Sequence, residues 1–180
     1  MLSYTLDMNC LIDMEEDRPA ADSLRTLVAA FRGGQLDLAV PAIAASENQR
    51  GELITNFAQF QHRLDSLDLS DVNLLHPMAY WDVTFFDHCI YPDEDAIELE
   101  RRIHAIVHPK IEFEAQGASS LTKWRNAKCD VQAMWSHIHN GRDYFVTSDA
   151  DFLSKASALA SLGAGAIVTP SEAVASLVIL

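Results

Sequence analysis

Four carboxylates in this chain occupy positions from which a folded α/β protein could bring them to one place. Asp7 follows a β-prone run near the N-terminus, and Asp149 follows a second such run, each directly before a helix start. If the two strands are neighbours in a parallel sheet, both acids project at the same edge. Glu47 follows another strand and a proline, about two turns into a helix that should start at that edge. Asp130 borders the apolar stripe of a late helix.

Carboxylates crowded in this way indicate a metal site. They repel one another and take up protons unless cations neutralise them. A hard divalent cation with oxygen ligands, Mg²⁺ or Mn²⁺, is the best explanation, because histidine or cysteine ligands would select softer metals. One or two such ions can activate water and stabilise the attacking and leaving oxygens of a phosphodiester.

The elements that must position these acids alternate between strands and helices, which is the pattern of a parallel sheet. Alternating β-prone runs and turn residues predict strands over 2–6, 36–40, 72–75, 144–147 and 166–168. Apolar residues at helical spacing predict helices over 24–31, 93–107, 121–140 and 170–177, and one from about 150 to 160. Residues 42–67 are predicted to form one long helix or a bent pair, and Pro19 to begin the helix before Gly33 and Gly34.

The order and strand contexts of these motifs carry a family resemblance. The motifs are Asp7-x-Asn9, Glu47 after a strand and proline, Asp130 on a late helix, Thr147-x-Asp149-x-Asp151-Phe152, and the closing run Ile167-Val168-Thr169-Pro170-Ser171. Together they resemble the PIN domain family, many of whose members are ribonucleases, including toxins of bacterial toxin–antitoxin pairs. The match covers the chain to about residue 67 and again from about residue 119 to the end.

The resemblance implies a fold, a reaction and a set of site residues. The fold is an α/β, three-layer α/β/α sandwich with a central parallel sheet, and the site cleaves RNA with Mg²⁺ or Mn²⁺. The implied catalytic and metal-binding acids are Asp7, Glu47, Asp130 and Asp149, with Asp151 as an additional metal ligand and Asn9 and Thr147 as hydrogen-bonding support. The implied partners are an RNA substrate, a candidate antitoxin protein and a second copy of the chain in a homodimer.

Two departures from the family pattern stand out. Residues 78–118 exceed what compact members need, so they are predicted to form a helical insertion within a single domain over 1–180. Glu52 is the second acid instead of Glu47 if the helix begins later. A purely structural role also stays open for three of these acids: Asp7 as a helix cap, Asp130 as a residue at the border of the core and Asp151 as an acid at a helix start.

Rival functions follow from the same residues. One is a PIN-like fold with an incomplete site that serves as a binding or scaffold protein. The other is a phosphatase of the haloacid dehalogenase type, which also begins with a strand and an Asp. That family has a second acid two residues later, where this chain has Asn9, and a lysine before its last acids, for which no convincing counterpart precedes Asp149.

Bulk composition limits these functions further. The chain has 180 residues, 49% of them hydrophobic, and its 13 Lys and Arg against 26 Asp and Glu give a net charge of −13. This acidity argues against polyphosphate binding without cations and fits a metal site or a basic partner. No apolar run is long enough to span a membrane. The three separated cysteines indicate reduced thiols in a cytoplasmic protein. Seven basic residues between 101 and 142 suggest a substrate groove as a hypothesis.

Overall fold

The computed structural model describes residues 1–47 and 56–177, and their centre is a parallel β-sheet. Its strands are β1 (Ser3–Leu6), β2 (Asp37–Pro41), β3 (Asn73–Leu75), β4 (Tyr144–Val146) and β5 (Ala166–Val168). Within the described residues these five strands lie in the order β3-β2-β1-β4-β5, and every pairing is parallel. Because β1 is central, its carboxyl end lies next to those of β2 and β4.

Helices connect the strands and cover both faces of the sheet. They are α1 (Met8–Glu15), α2 (Ala21–Arg32), α3 (Phe57–Ser66), α4 (Glu94–Val107), α5 (Leu121–His139), α6 (Ala150–Ser154), α7 (Ala156–Ala160) and α8 (Pro170–Leu177). Short 3-10 helices lie at Ala42–Ser46, Phe86–His88 and Ala115–Gly117.

Alternating side chains of the strands create two apolar layers. Tyr4, Leu6 and Val146 join one buried cluster with α1, α2, α3 and α8, and the rings of Tyr4 and Tyr144 stack at 4.7 Å. Phe145 points to the other face and joins a cluster built by α4, α5, α6 and α7. Burying both faces of a parallel sheet requires these apolar runs. The predicted α/β fold, with helices on both sides of a parallel sheet, is therefore confirmed.

The prediction of one helix or a bent pair over 42–67 is wrong at its beginning. Ala42–Ser46 forms a 3-10 helix whose five residues are all buried, and Glu47 then has an extended backbone with φ −72° and ψ 128°. Runs of 3-10 helix stay short because their hydrogen bonds are poorly aligned. The later part of the prediction is helical where the structure describes it, in α3 with Phe57, Phe60 and Leu64 on its buried face. The part over 48–55 lies outside the described residues.

Smaller differences concern helix boundaries. Pro19 lies two residues before the first residue of α2 and so does not begin it. The helix predicted up to about residue 160 is two short helices, α6 and α7, separated at Lys155. The Lys155 ammonium donates to the carbonyl oxygen of Val107 at 2.7 Å, which links this break to the end of α4.

Segment 78–118 contributes α4, which packs along α5. A polar contact buried between the two helices joins Lys128 Nζ to Glu100 Oε1 at 2.8 Å. Gln132 Nε2 donates to the same oxygen at 3.0 Å, and the Tyr80 hydroxyl donates to Glu100 Oε2 at 2.6 Å. This network attaches the segment to the helix that carries Asp130. No helix in the described ranges is both long and apolar enough to cross a membrane.

Candidate active site

Asp7 stands at the carboxyl end of β1 and caps α1. Its Oδ1 accepts a hydrogen bond from the Met8 backbone N–H at 2.8 Å, and its Oδ2 accepts one from the Thr147 hydroxyl at 2.7 Å. Asp7 is 4% exposed, so these two donors replace water around its carboxylate. Asp7 is therefore a helix cap, as the local reading predicts, and also a buried acid at the edge of the sheet.

Asp149 occupies the equivalent place after β4. Its Oδ1 caps α6 by accepting from the Asp151 N–H at 2.7 Å, and its own N–H donates to Thr147 Oγ1 at 2.9 Å. The Thr147 hydroxyl therefore bridges the two acids. Asn9 Nδ2 lies 3.5 Å from Asp149 Oδ2, so Asn9 also faces this acid from α1. Pairing between β1 and β4 brings these residues together across 140 positions of sequence.

Glu47 and Asp130 approach the same edge from two other elements. Glu47 directly follows the 3-10 helix after β2, and α5 packs against that 3-10 helix. Asp130 lies on α5, and its Oδ2 is 2.8 Å from Nε2 of His108 at the end of α4. The side chains of His108 and Asp130 are 16% and 29% exposed, so the pair is largely screened from solvent.

The four acids share one electrostatic environment. Burial, together with the charges of Asp130 and Asp149, raises the pKa of Asp7 to about 7 against the opposing hydrogen bonds from Thr147 and Met8. Burial, together with repulsion from Asp7, Asp130 and Asp149, raises the pKa of Glu47 to about 8 against an opposing effect of Arg63.

The pKa of Asp130 changes in the same direction. Burial raises it, the hydrogen bond from His108 opposes this, and the charges of Asp149 and Asp151 add to the increase. Each of the three shifted acids thus feels the charge of at least one other acid in the group. A bound cation would relieve this repulsion, because it stabilises the ionised form of every carboxylate near it.

The donor chemistry fits Mg²⁺ or Mn²⁺, since every candidate ligand is a carboxylate oxygen. Next to Glu47, the Ser46 hydroxyl oxygen is buried and forms no hydrogen bond with the described residues, so it is a further oxygen for a ligand or its water shell. Within residues 1–47 and 56–177, however, no three His, Cys, Asp or Glu side chains are close enough to share one metal ion. The electrostatics therefore fit a cation, while the side-chain positions do not form a finished coordination shell.

Two further acids considered for the site, Asp151 and Glu52, are not among the buried acids at the sheet edge that the structure describes. Asp151 is exposed and forms an ion pair with Lys155 at 3.3 Å, four residues along the chain. It lies at the rim, where its charge still reaches Asp130. Glu52, the alternative to Glu47, lies outside the described residues.

From the sequence, His108 has no role beside the acids, and no local motif marks it, because its partner Asp130 lies on another helix. His104 Nε2 is 2.8 Å from the carbonyl oxygen of Ile111, so only His108 reaches the acidic group.

The predicted basic groove is divided by the fold. Lys128 is buried against Glu100, and the buried Arg142 contacts Asp37 at 2.7 Å near the start of β2, where the opposite edge of the sheet lies. Arg125, by contrast, lies near the acids, since its Nε donates to the carbonyl oxygen of Ser46 at 3.3 Å.

Comparison with solved structures shows where this fold occurs. The chain is similar to one in the crystal structure of VapBC2 from Rickettsia felis bound to a DNA fragment from their promoter, with a TM-score of 0.50 and 14% sequence identity. The match covers 93% of this chain and 98% of that one. No family model matches the sequence, and no curated protein matches it. The likeness supports a PIN-like three-layer fold.

Proposed function

We propose that this protein is a metal-dependent nuclease of PIN type that hydrolyses phosphodiester bonds of RNA. The observation that carries the proposal is the shared environment of Asp7, Glu47, Asp130 and Asp149. These acids come from four separate elements and feel one another's charge near the sheet edge where parallel α/β sheets bind their ligands. Burial and mutual repulsion raise the pKa of Asp7 to about 7 and that of Glu47 to about 8. Maintaining such repulsion in a fold is characteristic of functional sites.

Each acid has a role in this proposal. Asp7, Glu47, Asp130 and Asp149 would hold Mg²⁺ or Mn²⁺, which supplies water activation and charge neutralisation when bound. The Thr147 hydroxyl donates to Asp7 and accepts from the backbone N–H of Asp149, so it holds both acids in place.

Supporting groups act around these acids. Asn9 faces Asp149, and His108 orients the carboxylate of Asp130 through their 2.8 Å contact. Asp151 belongs to the outer part of the site as a candidate additional ligand. Groups of this kind restrict the rotation of metal-binding carboxylates, so their loss lowers metal affinity even where every ligand remains.

A role as the toxin of a toxin–antitoxin pair fits the same fold. The similar VapBC2 structure holds a DNA fragment from their promoter, so a chain of this fold occurs in an assembly with nucleic acid. The net charge of −13 would suit an antitoxin segment rich in Lys and Arg that covers the acids. We propose a homodimer and a cytoplasmic location as parts of this role.

One observation favours a second function, a PIN-like binding or scaffold protein without catalysis. In the part of the chain that the structure describes, no three potential ligands could share one ion. A fold with an incomplete site would keep the acidic edge as a surface for a basic partner. Metal affinity separates the two functions, because only the nuclease requires it.

The test is calorimetric titration with Mn²⁺ of wild type, Asp149→Asn and the control Asp65→Asn, followed by incubation with single-stranded and structured RNA. Asp65 is an exposed acid on α3, so its variant carries the same charge change away from the site. We expect Mn²⁺ binding and RNA cleavage to disappear together in Asp149→Asn and to persist in Asp65→Asn. Folded wild type without Mn²⁺ affinity would refute the nuclease and favour the scaffold.

A further inference from the structure

An open groove lies beside the acids, between the loop at residues 81–83 and the first turns of α5. Its volume is about 260 Å³, and its lining, apart from Asp82, consists of Trp81, Val83, Ala115, Leu121, Trp124 and Arg125. Most of this lining is apolar, and much of it comes from segment 78–118, whose function the proposed reaction leaves open. We call this feature the aromatic groove.

The two indole rings of the aromatic groove differ in their contacts and exposure. Trp124 is held in place because its Nε1 donates to the carbonyl oxygen of Phe113 at 3.1 Å. Trp81 is 78% exposed and touches the edge of Phe86 at a ring-centroid distance of 5.6 Å. Leu121 is also 67% exposed. An exposed group of large apolar side chains beside a polar site is characteristic of a binding surface.

Arg125 connects the aromatic groove with the acids. Its guanidinium donates to the carbonyl oxygens of Asp82, on the groove side, and Ser46, the residue before Glu47. The packing shows the same proximity, because Cys129, the residue before Asp130, lies in one buried cluster with Val83 of the groove, and Trp124 packs against that cluster. A ligand in the groove that continues past Arg125 therefore reaches the acidic edge.

We infer that the aromatic groove binds one base of single-stranded RNA next to the phosphate that the acids act on. Trp81 supplies a face for stacking, Trp124 forms the fixed wall, and Arg125 lies where a negative backbone phosphate would pass. Aromatic stacking combined with a cation beside the backbone is the usual means of binding unpaired nucleotides. The inference rests on the proposed nuclease function and names the form of RNA that it acts on.

The small size of the groove favours a base over a protein segment. A volume of about 260 Å³ has room for a single ring system, and two indole side chains line it. An amphipathic helix of a partner would instead need a longer groove that accepts anchors over several turns. A base inside a duplex cannot enter such a groove, since its faces are already stacked.

The test measures kcat/KM with Mn²⁺ on a ten-nucleotide oligoadenylate and on the same oligonucleotide with one base removed at each position. The proteins are wild type, Trp81→Phe, Trp81→Leu, Leu121→Ser and the control Tyr91→Ala, an aromatic residue that is 87% exposed and outside the groove lining. Phenylalanine keeps a ring for stacking, whereas leucine keeps only apolar contact. Equal unfolding midpoints establish that the variants are folded.

We expect wild type, Trp81→Phe and Tyr91→Ala to lose roughly 5- to 100-fold in kcat/KM when one particular base is missing. Trp81→Leu should lose a similar factor on intact RNA and become insensitive to that missing base, and Leu121→Ser should change in the same direction. If Trp81→Leu cleaves every oligonucleotide like wild type, the base-binding inference is wrong and the groove is left to a protein partner, while the nuclease stands. If wild type cleaves none, both proposals fail.

Discussion

Replacing Asp7 by asparagine should stabilise the metal-free protein relative to wild type, by an amount that increases as pH rises. Asp7 is buried, and its pKa is 3.8 in its ordinary state and about 7 in the folded protein, chiefly because of burial. The folded state therefore binds the proton more tightly, so this group contributes stability that is present below pH 3.8 and is lost as pH rises through about 7. At about 1.36 kcal/mol per pH unit, the interval gives about 4 kcal/mol as a ceiling. Asparagine never ionises, so the variant avoids this loss.

The difference between variant and wild type isolates this effect from other titrating groups. Glu47, with a pKa of about 8, destabilises both proteins as pH rises. His137 acts in the opposite direction, because burial lowers its pKa to about 4 and the folded state then binds fewer protons between pH 4 and 6.5. Both groups remain in the variant, so most of their contribution cancels. The changed hydrogen bond to Thr147 shifts the stability difference between variant and wild type by the same amount at every pH.

The assay is urea unfolding of wild type, Asp7→Asn and the control Asp65→Asn in EDTA at intervals from pH 5 to 9. The free energy of unfolding of Asp7→Asn relative to wild type should increase by about 1–3 kcal/mol over this range, because only the part of the interval above pH 5 is sampled, with most of the change below pH 8. Saturating Mn²⁺ should stabilise wild type by about 2.7 kcal/mol at 100 times the dissociation constant, and Asp7→Asn by much less. A relative stability that stays constant from pH 5 to 9 would refute the reasoning about the buried acid.

Three further outcomes test other parts of the structure. His108→Ala removes the contact that orients the carboxylate of Asp130, so calorimetry should show a loss of about 10- to 100-fold in Mn²⁺ affinity. Unchanged affinity would contradict a role of His108 in orienting Asp130. Lys128→Met leaves Glu100 buried without its cation, so the free energy of unfolding in urea should fall by about 3–5 kcal/mol. The double variant Lys128→Met/Glu100→Gln should recover most of this loss. Gly34→Ala has a positive φ but open space around the new methyl group, so it should lower the free energy of unfolding by about 1–2 kcal/mol. Gly165→Ala has a similar φ and would also place the methyl group 2.3 Å from the backbone oxygen of Asp143, so it should lower that free energy more. Equal losses for the two variants would exclude the steric explanation.

The sequence by itself determined the strands and the acids that follow them directly. Strands such as β1 and β4 need continuous β-prone residues, and this requirement is visible in any short window. Asp7 and Asp149 end their strands and cap the next helices, so local chemistry places each acid at its strand end. The regular alternation of strand and helix then indicates a parallel sheet, which brings both acids to one edge.

Tertiary structure alone decided which distant groups meet these acids. Glu47 follows a buried 3-10 helix instead of lying inside a long helix, because packing against α5 overrides the helical preference of the local residues. The pairing of His108 with Asp130 and the bond from Arg125 to Ser46 join residues 22 and 79 positions apart. The raised pKa values arise from burial and from charges on separate elements, so they exist only in the folded chain and no local sequence window contains them.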